Sequence, residues 1–513
     1  MTARPNLLIL MADQLSAGAL RAYGGRTALT PHIDALAEHG VVFESFYCNS
    51  PLCAPSRFSM LAGQLPSKIG AYDNAAEFPA SVPTFAHYLR ASGYQTLLSG
   101  KMHFCGPDQL HGFEERLTTD IYPADFGWTP DWNRFSDRPG WYHSMDSVLQ
   151  AGPCIRTNQI DFDDDTVTAA RQKLFDLARS NDRRPFCLVV SMTHPHDPYA
   201  IPHDYWNRYR DEDIEPPRVP DLIGQDDPHS RRLRHVIGLD LARPTAAQVH
   251  AARRAYYGAV SYIDDQVGLL VRTLREAALD SDTVMLLIAD HGDMLGERGL
   301  WYKMSFYEPA CRIPLIVHAP RRFRPRRVST PASLVDLLPT LVEFAGDATA
   351  PRYATAIDGY SLLDALEGGS GPPEVVGEYL AEGAIAPVVM LLRDGRKFVH
   401  CPVDPDQLYD LGTDPDERNN LALSPQAQSQ SAAAATLTAM RQEVARRWNL
   451  RNVQAQVVSS QRQRHLVYQA LRQGRYRPWD FQPIRDATRL YVRNDQELND
   501  LESVARFPRI PAA

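Results

Sequence analysis

The segment CNSPLCAPSR, residues 48–57, holds a cysteine and an arginine four residues apart, just after a hydrophobic run. Cys53 directly precedes an apolar helical pattern, so it should lie at a helix N-terminus, where the dipole and unpaired N–H groups favour an anion. A deprotonated thiol there could act as a nucleophile. A lone cysteine is nevertheless most often a small buried hydrophobe. The residues by themselves leave burial, thiolate catalysis and chemical conversion of Cys53 open.

Candidate metal ligands follow two other apolar runs, NLLILMADQ and TVMLLIADHGD. The first run ends at Asp13 and Gln14, and the second ends at Asp290 and His291. Carboxylate oxygens combined with an imidazole suit one divalent cation. Aspartate at the end of a strand is also a common helix cap or turn former. Metal binding and a purely structural role therefore both remain open for each aspartate.

Basic and imidazole side chains follow further apolar runs in the same way. Lys101 and His103 come after YQTLLSG, and His194 comes after FCLVVSMT. Gathered at one edge with Lys303, they would surround a tetrahedral anion, and the imidazoles could transfer protons. For any one of the four taken alone, an exposed loop residue is the better interpretation. Their repeated position just past apolar runs favours a shared site.

These runs must be positioned by a common scaffold. Short apolar runs that alternate with helical patterns predict an α/β architecture with a largely parallel sheet. The helical patterns cover residues 54–65, 166–179 and 246–278. Ligand sites of such sheets lie beyond the carboxyl ends of the strands, which is where the residues above are expected to meet.

The pattern changes twice towards the C-terminus. Residues 1–376 form the predicted catalytic domain, and residues 377–451 form a small antiparallel α+β subdomain, in which the Asp-Gly of RDGRK predicts a hairpin turn. A helix is expected at about residues 432–448. Residues 452–513 are rich in Arg, Gln, Tyr and Trp and have too little apolar content for a core of their own. They are predicted to form an extended arm that packs on the body or on a neighbouring subunit.

Composition narrows the class of protein. The 513 residues are 44% hydrophobic and 23% charged with a net charge of −8, which argues against nucleic acid or an anionic membrane as main partner. We expect a cytoplasmic protein, because the apolar stretch near the start is too short for a signal peptide or a membrane span. The seven cysteines are odd in number and lack CxxC spacing, so they should stay mostly reduced.

Four segments together resemble the type I sulfatases. LTPHIDALAEHGVVFESFYCNSPLCAPSRFSMLAG is similar to the first signature of that family and GYQTLLSGKMH to the second, while LLILMADQ and IADHGDMLGERGLWYK also fit. The resemblance covers most of residues 4–420. It implies an alkaline-phosphatase-like fold and oxidation of Cys53 to formylglycine (3-oxoalanine) by a separate formylglycine-generating enzyme.

The resemblance also implies roles for individual residues. The hydrated aldehyde derived from Cys53 would be the nucleophile, held by Arg57 and the metal, and the reaction would pass through a covalent sulfo-enzyme. The implied metal ligands are Asp13, Gln14, Cys53, Asp290 and His291. Lys101, His103, His194 and Lys303 would bind the sulfate and handle protons, with His194 and Lys303 protonating the leaving oxygen, and Asn74 would add a polar contact.

Two positions depart from the pattern of many family members, which carry a second Asp at the place of Gln14 and an Asn at that of His291. An amide and an imidazole lower the charge and soften the ligand set, so that manganese becomes plausible beside the calcium usual in the family. The same Gln/His pair is similar to that of the phosphonate monoester hydrolase branch.

The C-terminal segments favour one substrate. RYRPWDFQPIRDATRLYVRNDQELNDLE and EYLAEGAIAPVVM resemble the choline-sulfatase branch, which implies hydrolysis of choline O-sulfate to choline, a precursor of glycine betaine. A quaternary ammonium needs aromatic faces and carboxylates, for which Trp128, Glu382 and Asp500 are the candidates. The branch also implies that the tail reaches a neighbouring subunit, in a homotetramer.

Two other functions remain to be weighed. One is a phosphonate monoester or phosphodiester hydrolase, or a broader alkyl or aryl sulfatase, on the same scaffold. The other is a non-catalytic anion-binding relative, which is disfavoured because it would not need Cys53, Arg57, the metal set and the proton-transfer set together.

Overall fold

The computed structural model describes residues 4–140, 143–221, 224, 226–346, 353–423, 432–484, 486–489, 491 and 495–508. Strands alternate with helices over most of this length. The strands are β1 Asn6–Asp13, β2 Val41–Phe43, β3 Phe46–Tyr47, β4 Gln95–Gly100, β5 Glu115–Arg116, β6 Gly152–Cys154, β7 Phe186–Pro195, β8 Ala200–Pro202, β9 Thr283–Ala289, β10 Leu315–His318, β11 Arg326–Val328, β12 Ala332–Ser333, β13 Glu374–Tyr379, β14 Val388–Arg393, β15 Arg396–His400 and β16 Gln407–Asp410.

The α-helices connect these strands and cover the sheets. They are α1 Pro31–Glu38, α2 Cys53–Ala62, α3 Pro66–Ile69, α4 Phe85–Ala91, α5 Asp146–Leu149, α6 Asn158–Arg179, α7 His203–Trp206, α8 Pro228–Val236, α9 Ala246–Glu276, α10 Glu308–Cys311, α11 Leu337–Phe344, α12 Leu363–Glu367, α13 Ala432–Arg447, α14 Leu450–Leu471 and α15 Leu498–Ala505. Helices α6 and α9 both pack on β7.

Eight strands form the central sheet, in the order β11-β2-β10-β9-β1-β7-β4-β5. β1 lies near its middle and is parallel to both neighbours, with Leu7 opposite Cys187 of β7 and Val284 of β9. β10 is antiparallel to β9 and β2, whereas the other pairings in this sheet are parallel. The central strands are buried on both faces, which explains why they are continuous apolar runs. The predicted α/β fold is confirmed.

A second, antiparallel sheet has the order β13-β14-β15-β16. Asp394 and Gly395 join β14 to β15 with φ values of 51° and 71°, the left-handed conformation of the hairpin turn expected from RDGRK. α13 packs on this sheet and begins at Ala432, as expected. The predicted domain boundary between residues 376 and 377 falls inside β13, a strand of this antiparallel sheet.

The C-terminal segment differs from the extended arm that was predicted. α14 runs straight through the expected boundary at residues 451–452, and its Val453 and Val457 are buried against the main core. Beyond α14, the chain packs on its own body, where Phe481 accepts a hydrogen bond from Thr119 and the ring of Trp479 lies 5.2 Å from that of Phe126. Every residue of α15 is at least partly exposed. Packing of the tail on a neighbouring subunit stays a prediction, and it now concerns α15.

Within the described residues, no helix combines the length and the apolar character needed to cross a membrane.

Candidate active site

Cys53 is the first residue of α2 and its side chain is 1% exposed. Its Sγ lies 3.1 Å from His291 Nε2 and 3.9 Å from Asp13 Oδ1. Burial by itself would raise the pKa of the thiol, but Lys101, Lys303 and His291 hold that pKa well below its usual value. The helix start and these cations make the position of Cys53 one that stabilises negative charge.

The ends of β1 and β9 bring the carboxylates to Cys53. Asp13 is the last residue of β1, and Asp290 follows the last residue of its parallel neighbour β9. The backbone N–H of Gln14 donates to Asp290 Oδ1 at 3.0 Å, which ties the two strand ends together. The expectation that both carboxylates meet at the carboxyl edge of the sheet is confirmed.

One potential ligand atom from each of Asp13, Cys53, Asp290 and His291 lies within 4.8 Å of the other three. His291 Nδ1 donates to the carbonyl of Gly292 at 3.0 Å, so Nε2 is the ring nitrogen that faces the cluster. Two carboxylates, an imidazole and a position that stabilises negative charge suit a divalent cation. The donor set therefore fits the metal that the sequence predicts.

Arg57 lies one helical turn after Cys53 and is completely buried. Its Nε donates to Asp290 Oδ2 at 2.8 Å, and its Nη1 donates to the carbonyl of Lys101 and to Ser191 Oγ at 2.7 and 2.8 Å. Nη2 is 3.6 Å from Asp13 Oδ2 and makes no hydrogen bond with any residue that the structure describes. A rigidly held guanidinium with one available nitrogen can donate to an anionic oxygen.

Lys101 is also fully buried, and its ammonium pairs with Asp13. Burial lowers the pKa of Lys101, but the Asp13 and Cys53 charges more than offset this effect and raise it. Burial likewise would raise the pKa of Asp13, yet Lys101, His196 and Arg57 hold it well below its usual value. The site thus keeps its charged groups charged without access to bulk water.

Lys303 bridges Gln14 and a histidine that the sequence analysis did not select. Its Nζ is 2.7 Å from Gln14 Oε1 and 2.7 Å from His196 Nε2. Gln14 Nε2 in turn donates to Asp293 Oδ2 at 2.7 Å, which fixes the orientation of the amide. The amide oxygen of Gln14 keeps a second lone pair, so its role as a metal ligand stays a prediction.

The structure places His194 differently from what was predicted. Its Nδ1 bonds Asp163 Oδ2 of α6 at 2.7 Å, and its ring centroid is 5.1 Å from that of Tyr262 in α9. The partner of Lys303 is instead His196, whose Nδ1 bonds the carbonyl of Asp197 at 2.8 Å. His194 still belongs to β7 and faces the helices that cover it, whereas His196 follows the strand end and lies at the sheet edge. His196, rather than His194, is therefore the histidine that contacts Lys303 at the sheet edge, and the role of either residue in catalysis stays a prediction.

Aromatic rings cover the cationic site. His103 is buried and lies close enough to Cys53 to help lower the pKa of its thiol. The ring centroids of His103 and Trp128 are 5.8 Å apart, so Trp128 lies next to His103, and its role in substrate binding stays a prediction. Tyr122, not selected from the sequence, lies 5.1 Å from Trp128, and its ring centroid is 4.3 Å from Lys101 Nζ. Its only signal in the sequence was its position six residues before Trp128.

The three other predicted substrate-binding residues, Asn74, Glu382 and Asp500, lie in different places relative to Cys53. Asn74 Oδ1 accepts a hydrogen bond from the N–H of Ala54 at 3.0 Å, directly beside Cys53. Glu382 is buried and lines a cavity of about 200 Å³ together with Trp132 and His465. Asp500 is exposed in the first turn of α15. The structure of one chain therefore does not bring Asp500 to a buried pocket.

Residues 5–347, well over half of the chain, match the family model described as Sulfatase. The chain belongs to the sulfatase family. Two further family models match this sulfatase nearer its C-terminus. Residues 455–507 match "Choline sulfatase enzyme C terminal", and residues 296–443 match "N-sulphoglucosamine sulphohydrolase, C-terminal".

Full-length relatives agree with these matches. The sulfatase is 46% identical to the choline-sulfatase of Rhizobium meliloti (strain 1021), over 99% of each chain. It is 26% identical to the arylsulfatase of Clostridium perfringens (strain 13 / Type A), over 82% of this chain and 90% of that protein. The solved phosphonate monoester hydrolase of Agrobacterium radiobacter covers 88% of this sulfatase with 96% of its own chain, at 21% identity and a TM-score of 0.68. That last likeness shows a shared fold alone, and it confirms the alkaline-phosphatase-like prediction.

Proposed function

We propose that this sulfatase hydrolyses choline O-sulfate to choline and sulfate. The observation that carries the proposal is the 46% identity to a choline-sulfatase over 99% of both chains. The match of residues 455–507 to the C-terminal model of choline sulfatases supports it, because this is the segment in which relatives of other specificity would be expected to differ.

The buried cations support recognition of the sulfate group. Arg57, Lys101 and Lys303 place three positive charges around Cys53, against the two carboxylates of Asp13 and Asp290. The surplus positive charge favours the anionic end of the substrate. Fixed charges in a site without bulk water also stabilise the charge that develops on the sulfate oxygens in the transition state.

We further propose that Asp13, Gln14, Asp290, His291 and the converted Cys53 hold one divalent cation, Ca²⁺ or Mn²⁺. The cation would act as a Lewis acid on the sulfate oxygens. The formylglycine made from Cys53 would supply a hydroxyl of its hydrate as nucleophile and later release sulfate by returning to the aldehyde. Arg57, tied to Asp290, fixes the start of α2 and so the direction in which residue 53 points.

Proton transfer falls to the imidazoles and Lys303. Lys303 donates to His196 Nε2 and lies within reach of the same site, so this pair can protonate the departing choline oxygen. The alkoxide of an alkyl ester is strongly basic, which makes such an acid worth roughly 10²- to 10⁴-fold in rate. His103, beside residue 53, is placed to accept the proton of the nucleophile.

The cationic end of choline needs a different surface. Trp128 and Tyr122 offer aromatic faces next to the sulfate site, which suits a trimethylammonium group. We propose Glu382 and, from a neighbouring subunit, Asp500 as the accompanying carboxylates. Since α15 is exposed in the single chain, the role of Asp500 requires the homo-oligomer, a tetramer in our proposal.

The test compares choline sulfate, an aryl sulfate and a phosphonate monoester on one preparation whose residue 53 has been characterised by peptide mass. We expect the highest kcat/KM for choline sulfate. A clear preference for the phosphonate would overturn the proposal and favour the phosphonate monoester hydrolase alternative, whereas a preference for the aryl ester would leave a sulfatase of a different specificity.

A further inference from the structure

Arg464, in α14, is a buried charge in a segment of mostly exposed residues. It is 5% exposed, and its guanidinium binds the Asp73 carboxylate in a fork, with Nη1–Oδ1 and Nη2–Oδ2 distances of 2.6 and 2.7 Å. Nη1 also donates to Thr129 Oγ1 at 3.1 Å, and Nε donates to Ser460 Oγ within the same helix. Arg464 thus joins the C-terminal segment to two separate loops of the catalytic body.

The first of these loops carries Asn74. Asp73 Oδ1 accepts hydrogen bonds from Arg464 Nη1 and from the N–H of Ala75, the second at 3.0 Å. The bond to Ala75 closes a short turn that contains Asn74. Asn74 Oδ1 accepts from the N–H of Ala54, the neighbour of Cys53. The orientation of Asp73 therefore determines where Asn74 holds the start of α2.

The second loop carries Trp128 in the same manner. The N–H and the Oγ1 of Thr129 both donate to the carbonyl of Phe126, at 3.2 and 2.8 Å, and close a tight turn around Trp128. The Arg464 guanidinium donates to the same Thr129 hydroxyl oxygen. One planar group therefore holds a turn on the sulfate side of the site and a turn on the aromatic side.

We infer that Arg464 is a positioning residue, which sets Asn74 against the nucleophile and Trp128 against the trimethylammonium group. The inference rests on the proposed function, since it takes choline sulfate as the substrate. It assigns the C-terminal segment a role within its own chain, separate from any contact of α15 with another subunit. A lysine cannot replace the fork, because an ammonium does not bind both carboxylate oxygens and the hydroxyl in one plane.

The test uses the full-length enzyme with Arg464→Met, Arg464→Lys and the double variant D73N/R464M. The double variant avoids a buried unpaired carboxylate, and the amide that replaces it keeps an oxygen for the Ala75 N–H. Arg447→Met is the matched control, because Arg447 also joins a C-terminal helix to a carboxylate outside it, that of Glu374, and pairs with Glu443 of its own helix, without touching either turn. kcat and KM are measured for choline sulfate and an aryl sulfate, per mole of folded enzyme with converted residue 53.

We expect Arg464→Met and the double variant to lower kcat for both esters by about 10- to 100-fold, through Asn74. We expect KM to rise about 10-fold for choline sulfate alone, through Trp128. Arg464→Lys should recover part of each loss, and Arg447→Met should change neither constant by more than about twofold. In a Trp128→Ala background, Arg464→Met should no longer raise KM for choline sulfate, while its effect on kcat persists.

A purely structural role gives a different result. If the Arg464 variants only reduce the amount of folded enzyme and leave kcat and KM unchanged, or if the KM effect is undiminished in the Trp128→Ala background, the inference is wrong. Failure of the proposed function is recognised separately, since the wild-type enzyme with converted residue 53 would then not turn over choline sulfate. The kcat for the aryl ester would still decide whether Arg464 acts through Asn74.

Discussion

Cys53 gathers a helix start, the buried cations of Arg57, Lys101 and Lys303, and a candidate metal cluster around one atom. Cys48, a second buried cysteine five residues earlier, has different neighbours. Burial and the nearby Cys311 raise the pKa of its thiol. The two residues are both buried cysteines, but their surroundings shift the pKa of the thiol in opposite directions. They form a natural pair for comparison.

We expect Cys53→Ala to lower sulfate ester turnover by about 10⁴- to 10⁶-fold, because the nucleophile is lost while the binding groups remain. Cys48→Ala should retain turnover. Peptide mass should find residue 53 converted and residue 48 still a thiol. A thiol at residue 53 in fully active enzyme would contradict the assignment.

His196 and His194 are the second pair. We expect His196→Gln to lower kcat for choline sulfate by about 10²- to 10⁴-fold, and to lower it much less for an aryl sulfate whose leaving group needs little protonation. His194→Gln should leave the ratio of the two kcat values unchanged, because its ring bonds Asp163 rather than Lys303. A change of that ratio by the His194 variant alone would restore the original assignment.

The two histidines also show which site residues could be predicted from the sequence and which could not. The meeting of Asp13 with Asp290 followed from two apolar runs that end in carboxylates, because parallel strands deliver their last residues to one edge. The choice between His194 and His196 depended on the residue at which β7 ends. Both lie in the same short polar segment, and a difference of two residues does not change their side of an extended strand.

At the scale of elements, α14 was the main departure from the sequence prediction. Its buried face reads Val453, Val457, Gln461 and Arg464, so the helical spacing is intact but half of the face is polar. Apolar periodicity is the principal signal for a helix that packs on a core. The signal was therefore too weak, while the uninterrupted apolar strands β1, β7 and β9 were predicted readily.

The packing of α14 can be measured in isolation. We expect Val457→Ala, at a fully buried position, to lower the free energy of unfolding by about 2 kcal/mol, through the loss of two buried carbon atoms and the gap that they leave. Val467→Ala in the same helix, at a position 39% exposed, should change it by less than about 0.5 kcal/mol. Equal effects in chemical or thermal unfolding would mean that α14 is not docked as described.

At the scale of the whole molecule, the tail can now be divided. A chain that stops after residue 495 lacks α15 but keeps α14, and we expect it to fold and to turn over aryl sulfate normally. Its KM for choline sulfate should rise and the proposed oligomer should dissociate, as judged by light scattering, because the exposed Leu498 and Val504 are lost with Asp500.

Asp500→Asn in the full-length chain is the control for that truncation, since it removes a charge and keeps the apolar side chains. We expect it to raise KM for choline sulfate without changing the oligomeric state. If the truncated chain keeps both its oligomeric state and its KM, α15 has no part in the site.

A divalent cation held by the proposed ligands would stabilise the whole molecule as well as the site. We expect a strong chelator to abolish turnover and to lower the midpoint of thermal unfolding, because a cation that binds only the folded chain stabilises it. Restoration by Ca²⁺ or by Mn²⁺ alone would identify the preferred ion. Full turnover by metal-depleted enzyme would contradict the ligand assignment to Asp13, Asp290 and His291.

The position of β1 between β7 and β9 sets an order of events during synthesis. Cys53 leaves the ribosome long before the residues of β9, and the cluster around it closes only when β9 pairs with β1. In the finished fold the side chain is 1% exposed, which leaves no approach for a second protein. If the proposed modifying enzyme acts on Cys53, we therefore expect it to act before the cluster closes, and we expect a chain that closes first to keep its thiol. Under the proposed function, the fraction of active enzyme would then depend on the relative rates of Cys53 modification and of folding.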